Sequence, residues 1–192
     1  MVEEREYTGQ IFDRVAFDDF PAEDVFFEKC RFNGCFFMNS DFSGATLMDC
    51  EFCDCDFTLV KVTEARFQNV VFQNSRIKGI CFNDCNRVME LGISFRTSQV
   101  MDCVFDSLRY THLSFEDSRV GDCDFVATNL KNSVFRNSDL NGTNFEKCDL
   151  SGADFREARG YRINPADNKM GKARFSLPEA TVLLAPLGII VE

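Results

Sequence analysis

The sequence predicts a repeat solenoid in which the chain turns a corner every five residues, and three observations predict it. Phenylalanine dominates the aromatics, 22 of 192 residues against 3 tyrosines and no tryptophan. Eighteen of those rings fall in two frames of period five, where chance in one frame would take about a fifth. A slim residue precedes most of these centres by two positions. A period of five matches neither the 3.6 of a helix nor the 2 of a strand. It fits a chain that buries the centre and the residue two before it, leaving the other three in water.

The first frame holds Phe12, Phe17, Phe27, Phe32, Phe37, Phe42, Phe52, Phe57, Phe67, Phe72 and Phe82, with Tyr7, Ala22, Leu47, Val62 and Ile77 filling its gaps. The second holds Phe95, Val100, Phe105, Tyr110, Phe115, Val120, Phe125, Leu130, Phe135, Leu140, Phe145, Leu150 and Phe155. Two before the centres stand residues such as Cys30, Cys35, Ser40, Ala45, Cys50, Cys55, Ser98, Cys103, Ser118, Cys123, Thr128 and Cys148. The cleanest stretch, 138–157, reads SDLNG, TNFEK, CDLSG, ADFRE.

That pattern resembles the pentapeptide-repeat family over about residues 5–157. The resemblance implies an all-β fold, a right-handed quadrilateral β-helix with four pentapeptides to a coil. Four-sided coils require similar residues 20 apart, and the sequence has them: Phe12, Phe32, Phe52 and Phe72; Phe95, Phe115, Phe135 and Phe155; Phe105, Phe125 and Phe145. Stacked at about 4.8 Å per coil, seven coils make a rod of roughly 35 Å. Ladders of Phe hold it together by apolar burial and ring contact.

A shaft is therefore expected over 1–157, interrupted near 83–94. The step from Phe82 to Phe95 is not a multiple of five, so the frame slips between them. A corner bulge and a projecting partner-binding loop both fit. The loop reading rests on Asn86, Arg87, Val88, Met89, Glu90 and Leu91. Beyond Phe155 the repeat stops, and 158–192 is expected to be a C-terminal cap and dimerisation segment. Residues 156–175 read as loop, with Gly160, Asn164-Pro165 and Gly171 as breakers. Ser176-Leu-Pro-Glu179 reads as a capping box opening a short helix that Pro186 ends, followed by an extended apolar tail. Helix and tail can cover the last coil. Their many apolar groups also favour a homodimer, through Leu183, Leu184, Leu187, Ile189, Ile190 and Val191.

Composition limits the function. With 31 Asp+Glu against 21 Lys+Arg the net charge is -10, which argues against direct nucleic-acid binding. Residues 1–160 carry all of that excess. No apolar run approaches the roughly 20 residues of a membrane span, and the charged start lacks a signal peptide's apolar core. No membrane association is expected, and a cytoplasmic location with cysteines as thiols is. Cys50, Cys53 and Cys55 mimic a metal or redox motif, but Cys53 falls on an outward position, so no metal site is expected. His112, the single histidine, stands outward with no nucleophile motif beside it. No catalytic residue, enzyme activity or cofactor is expected.

A narrower resemblance is to the family's Qnr quinolone-resistance branch, carried by the shaft length, the interruption and the ending Leu184-Ala-Pro-Leu-Gly-Ile-Ile-Val191. It implies an acidic, DNA-mimicking, dimeric rod that binds DNA gyrase or topoisomerase IV and protects it from quinolones or a related poison. An interaction scaffold with an unrelated partner is the alternative the repeat pattern leaves open.

Overall fold

Each five-residue unit is a short strand and a corner. The corner residue, two after the buried centre, adopts a left-handed backbone, as at Asp19 (φ 54), Asn39 (φ 58), Asp54 (φ 56) and Asn132 (φ 57). Asp and Asn tolerate that conformation better than other residues with a Cβ, because their short polar side chains bond locally. Repeating the corner winds the chain into a four-sided parallel β-solenoid of about eight turns. This computed structural model describes residues 5–86, 88, 90–107 and 113–189.

The four sides can be numbered in chain order. The first includes Glu6–Thr8, Phe26–Glu28, Thr46–Met48 and Arg66–Gln68, each paired in parallel with the strand one coil on. The second runs through Ile11–Asp13, Arg31–Asn33, Glu51–Cys53, Val70–Gln73 and Ile93–Arg96. The third includes Asp56–Thr58, Arg76–Lys78, Gln99–Met101 and Arg119–Gly121. The fourth includes Asp124–Val126, Asn144–Glu146 and Arg162–Ile163, preceded by bridges through Asp41, Cys81 and Val104.

The core is what the five-residue period requires. Centres and the residues two before them are buried along the shaft, from Ala22 to Ile163. On the second side Phe12, Phe32, Phe52, Phe72, Phe95, Phe115, Phe135, Phe155 and Phe175 form one continuous ladder, with neighbouring centroids 4.6–5.4 Å apart. Phe82, Phe105, Phe125 and Phe145 form a second ladder on the fourth side. Rings on opposite sides meet edge to face across the core, as Phe125 and Phe135 do at 89°, and so do rings on adjacent sides such as Phe32 and Phe37 at 73°. Stacked and edge-to-face geometries both suit the ring quadrupole, so burial and ring contact reinforce each other.

The slim position two before each centre has a polar task as well as a steric one. Ser40 Oγ donates to the Phe17 carbonyl at 2.6 Å, Thr128 Oγ1 to Phe105 at 2.7 Å and Thr143 Oγ1 to Val120 at 2.7 Å. Cys148 Sγ makes the same contact to Phe125 at 3.0 Å. Each bonds to a centre's carbonyl that lies outside the strand ladder, a contact that Ser, Thr and Cys can all make from this position.

Three expectations for the C-terminal region are corrected. Residues 156–175 are not a loop: the coil continues, with bridges Asp139↔Arg159 and Asp149↔Lys169 and the strand pair Asp154–Phe155 with Arg174–Phe175. The breakers mark a local redistribution. Phe145 pairs Ile163, where an even coil step would reach Pro165, while the flanking bridges keep the even step. The Asn164–Asn168 corner makes up the difference, and Asn168 occupies the slim position. Its Nδ2 donates to the carbonyls of Phe145 and Asn164, and its Oδ1 accepts from the Cys148 amide.

Nor does a capping box form. The closing helix is a 3₁₀ helix, Glu179–Leu187, with Pro178 as its N-cap and no side-chain cap. The Ser176 hydroxyl instead accepts the Glu157 amide of the preceding coil. Pro186 lies inside the helix rather than ending it; left-handed Gly188 (φ 72) closes it, its N–H bonded to the Ala185 and Leu184 carbonyls. Among the described residues no helix is long and apolar enough to cross a membrane.

Candidate interaction surface

The frame slip is a short insertion whose position the register fixes. The Asn86 amide bonds to the Ala65 carbonyl, the same step that the Arg66 amide makes to Ala45, whereas Val70 pairs Ile93, which lies beyond the even step. The extra length therefore falls between Asn86 and Ile93 and leaves from the first side, over the edge of strand Arg66–Gln68. Asn86 is half-buried at the loop's root: its Nδ2 donates to Glu64 Oε2 at 2.8 Å and its Oδ1 accepts the Val88 amide at 3.0 Å. Val88 is 89% exposed and Glu90 is exposed, so both are placed for contact.

Leu91 is not. It is 2% exposed and packs in the core, so it ties the loop down and leaves the contact set. Gly92 follows because the chain passes close to the coil below: a Cβ there would stand 2.8 Å from the Asn69 amide nitrogen. Arg87 and Met89, the remaining loop candidates, lie outside the described residues, as do Tyr110 and His112.

The acidic excess is uneven around the shaft. The fourth side and its corner bring Glu23, Asp24, Asp41, Glu64, Asp84, Asp106, Asp124 and Glu146 to one surface, at least one carboxylate in each of the first seven coils. Its ion pairs among the described residues are Lys61–Asp41 at 2.8 Å and Lys147–Glu146 at 2.6 Å. Burial opposes ionisation of Asp41, but bonds from Lys61 and Ser43 outweigh it and leave its carboxyl below the usual range. The second side is different, because its acids interleave with arginines: Arg31 with Glu51, Arg136 with Glu116, and both Arg136 and Arg156 with Asp154. The Glu64–Asn86 bond joins the acidic side to the loop, making one continuous surface.

At the other end, Leu183 and Leu184 are half-buried, while Leu187 and Ile189 are exposed together with Leu177 and Val182. Ile190 and Val191 lie outside the described residues. Beneath the closing helix a cleft of about 540 Å³ is lined by Tyr161, Arg162, Glu179, Val182 and Pro186, among others. The Tyr161 hydroxyl is buried with no hydrogen-bond partner among the described residues, and burial pushes its pKa up to about 12.

Eight of the ten cysteines are buried in the shaft. Cys50 and Cys55 are buried and Cys53 is half-buried; all ten are free thiols. Burial pushes Cys50 up to about 11 and Cys55 up to about 12, which suppresses the thiolate that metal binding and nucleophilic attack require. Among the described residues no group of three or more His, Cys, Asp or Glu could hold a metal ion.

Comparison with known proteins agrees with this architecture. No curated protein matches the chain. Full-length QnrB1, a plasmid-mediated fluoroquinolone resistance protein, superposes with a TM-score of 0.50 at 13% identity, covering 96% of this chain and 100% of that chain. HetL, a pentapeptide-repeat protein involved in heterocyst differentiation regulation from the cyanobacterium Nostoc sp., gives 0.40 at 13% identity, covering 88% and 84%. At 13% identity the likeness to QnrB1 concerns the fold. Residues 25–89 match the model of a pentapeptide repeat region, and residues 122–159 match that of pentapeptide repeats in eight copies. With its corners, ladders and slim positions already accounted for, the chain belongs to the pentapeptide-repeat family.

Proposed function

We propose that this chain is a non-catalytic, DNA-mimicking protein that binds DNA gyrase or topoisomerase IV, as a homodimer joined at its C-terminal end, and protects the enzyme from quinolones or a related poison. The observation that carries the reading is the acidic fourth side running into the exposed loop at Val88 and Glu90. Its carboxylates recur about every 4.8 Å, against about 3.4 Å per phosphate along one strand of duplex DNA. A basic groove shaped for DNA therefore meets a rigid and sparser band of negative charge running along the rod. Such complementarity speeds encounter and selects the partner.

QnrB1, which shares this fold, is a fluoroquinolone resistance protein, and that description supports the same reading for this chain. The loop gives the rod a contact that charge alone lacks. The exposed Leu187 and Ile189 suit a two-fold contact that would double the rod's length.

The test is gyrase supercoiling, and topoisomerase IV decatenation, with this protein titrated in the presence and absence of a fluoroquinolone. Protection near equimolar protein is the expected result. Inhibition without protection would reduce the proposal to charge mimicry. No effect on either enzyme would overturn it and leave a scaffold with an unrelated partner.

A further inference from the structure

The third side carries a feature that the acidic side does not share. Phe36 and Met38 flank the buried Phe37, so both side chains leave the same side, about 7 Å apart along the strand. Leu59 stands at the corner of the next coil, its Cδ2 placed where a Cβ on Gly79 would come within 2.7 Å. Phe36 is 52% exposed, Met38 47% and Leu59 56%. The outward positions in the following coils of this side are polar or small except for half-buried Met101: Asp56, Thr58, Arg76, Lys78, Gln99, Arg119 and Gly121. Phe36 lies between Ala16 and Asp56 in the bridge ladder, and neither side chain is long or apolar enough to cover the ring.

Charge surrounds this patch asymmetrically. Asp18 and Asp19 lie one coil below, and Asp54 and Asp56 one coil above. Asp18 accepts the Met38 amide at 2.8 Å, Asp54 the Asn74 side chain and Asp56 the Thr58 hydroxyl. Among the described residues none of the four is in an ion pair. Arg76 and Lys78 bound the patch on its C-terminal side. Phe36 also forms one wall of a depression of about 270 Å³ shared with Asp54, Asp56, Asn74 and Arg76.

We infer that Phe36 and Met38, with Leu59 on the next coil, form an apolar anchor, flanked by carboxylates on the coils below and above and bounded by Arg76 and Lys78, that docks into an apolar pocket on the floor of a Lys/Arg-lined groove of the partner protein. This rests on the reading under Proposed function and adds the residues that separate a protein contact from a purely ionic one. Charge complementarity selects the occupant. A nucleic acid or an anionic membrane surface would set its phosphates against these four carboxylates. A second copy brought here by a two-fold axis would set four carboxylates against four. A basic groove with an apolar floor matches both parts of the patch. Aromatic side chains entering such pockets characteristically dominate an interface's affinity, while rim charges set its rate and salt dependence.

The test uses the full chain and intact gyrase and topoisomerase IV, with affinity measured across a salt series. Phe36→Ser combined with Met38→Gln is expected to weaken binding tenfold or more with an unchanged salt slope. Asp19→Asn combined with Asp54→Asn keeps residues suited to left-handed corners and is expected to flatten the slope. Melting curves of both variants check that the shaft is intact. Wild-type affinity in the Phe36/Met38 variant would overturn the anchor while leaving the proposed function standing. Failure of the wild-type chain to bind either enzyme would remove the proposed function and the anchor with it. A fall in sedimenting mass for the Phe36/Met38 variant would assign the patch to a contact between copies and also overturn the inference.

Discussion

Phe72 and Phe95 stack with their centroids 5.4 Å apart and their planes 13° from parallel, although the loop insertion lies between them in the chain. The ladder on the second side thus passes the insertion unbroken. All of the extra length is taken up between Asn86 and Ile93, where the buried Leu91 and the closely packed Gly92 return the chain to register.

This predicts that the loop can be removed without harming the shaft. Deleting 87–89 restores the even coil step while sparing the buried Cys85 and Leu91. Stability should change by no more than about 1 kcal/mol, as for surface changes away from the core. Protection of gyrase should be lost. A deletion variant that melts normally and still protects would place the contact on the shaft alone.

The ring ladder should be expensive to break. Phe115→Ala removes a fully buried ring stacked on Phe95 and Phe135, at 5.0 and 5.3 Å. Coils above and below are fixed by strand pairing and cannot collapse into the space. The expected loss is about 3–5 kcal/mol by denaturant titration. A loss below about 1 kcal/mol would mean that the coils do relax inward.

Asp154 makes stability depend on acid. The Arg156 guanidinium first, with Arg136 beside it, holds its carboxyl well below the usual carboxylate range. A folded-state pKa below the unfolded one stabilises the protein above the unfolded pKa, and that contribution fades as pH falls from about 4 through the folded value. Asp154→Asn should cost about 1–2 kcal/mol at neutral pH. The difference from wild type should shrink below about pH 4. A difference that stays constant from neutral pH into strong acid would show that the charge contributes nothing.

Thiol reactivity should follow burial. Cys81 is exposed and Cys53 half-buried, whereas Cys30, Cys35, Cys50, Cys55, Cys85, Cys103, Cys123 and Cys148 are buried. A water-soluble disulfide reagent at neutral pH should modify Cys81 first and Cys53 more slowly. The other eight should react only on unfolding. Early modification of Cys50 or Cys55, read by mass spectrometry, would contradict the closed shaft.

The C-terminal end carries the dimer prediction. Leu187→Asp places a charge on an exposed apolar position of the closing helix without touching the core. The sedimenting mass should fall from dimer to monomer while the melting of the shaft persists. An unchanged mass would remove this end from the dimer contact.

Much of this architecture was legible in the sequence because its signal is periodic. Phe recurring once per coil gives both the number of sides and the ladder, and the uneven step from Phe82 to Phe95 gives the insertion. Leu91 was harder to place, because an apolar residue beside a loop reads equally as contact or anchor until the register is known. The coil over 156–175 was hidden by Gly160 and Pro165, and by the shortened step to Ile163. One signal was available: Phe175 stands one even coil step after Phe155. Ser176 illustrates the remaining limit. Its hydroxyl is claimed by Glu157 in the coil before it, a contact that a local capping motif does not contain. The acidic side needed the four-sided winding, since its carboxylates are scattered in sequence and align only once each pentapeptide is assigned to a side.

Because each strand pairs only with the coil directly below and the coil directly above, length is a free variable in this molecule. Excising or duplicating one whole coil, cut at equivalent corners, leaves every remaining neighbour facing a partner of the same kind. The rod would change by one step of about 4.8 Å, much as a ruler is recut at its graduations. The distance between the loop and the C-terminal end can therefore be set in whole steps. A partner that must be touched at both places would act as a gauge, rejecting a rod one graduation too long or too short.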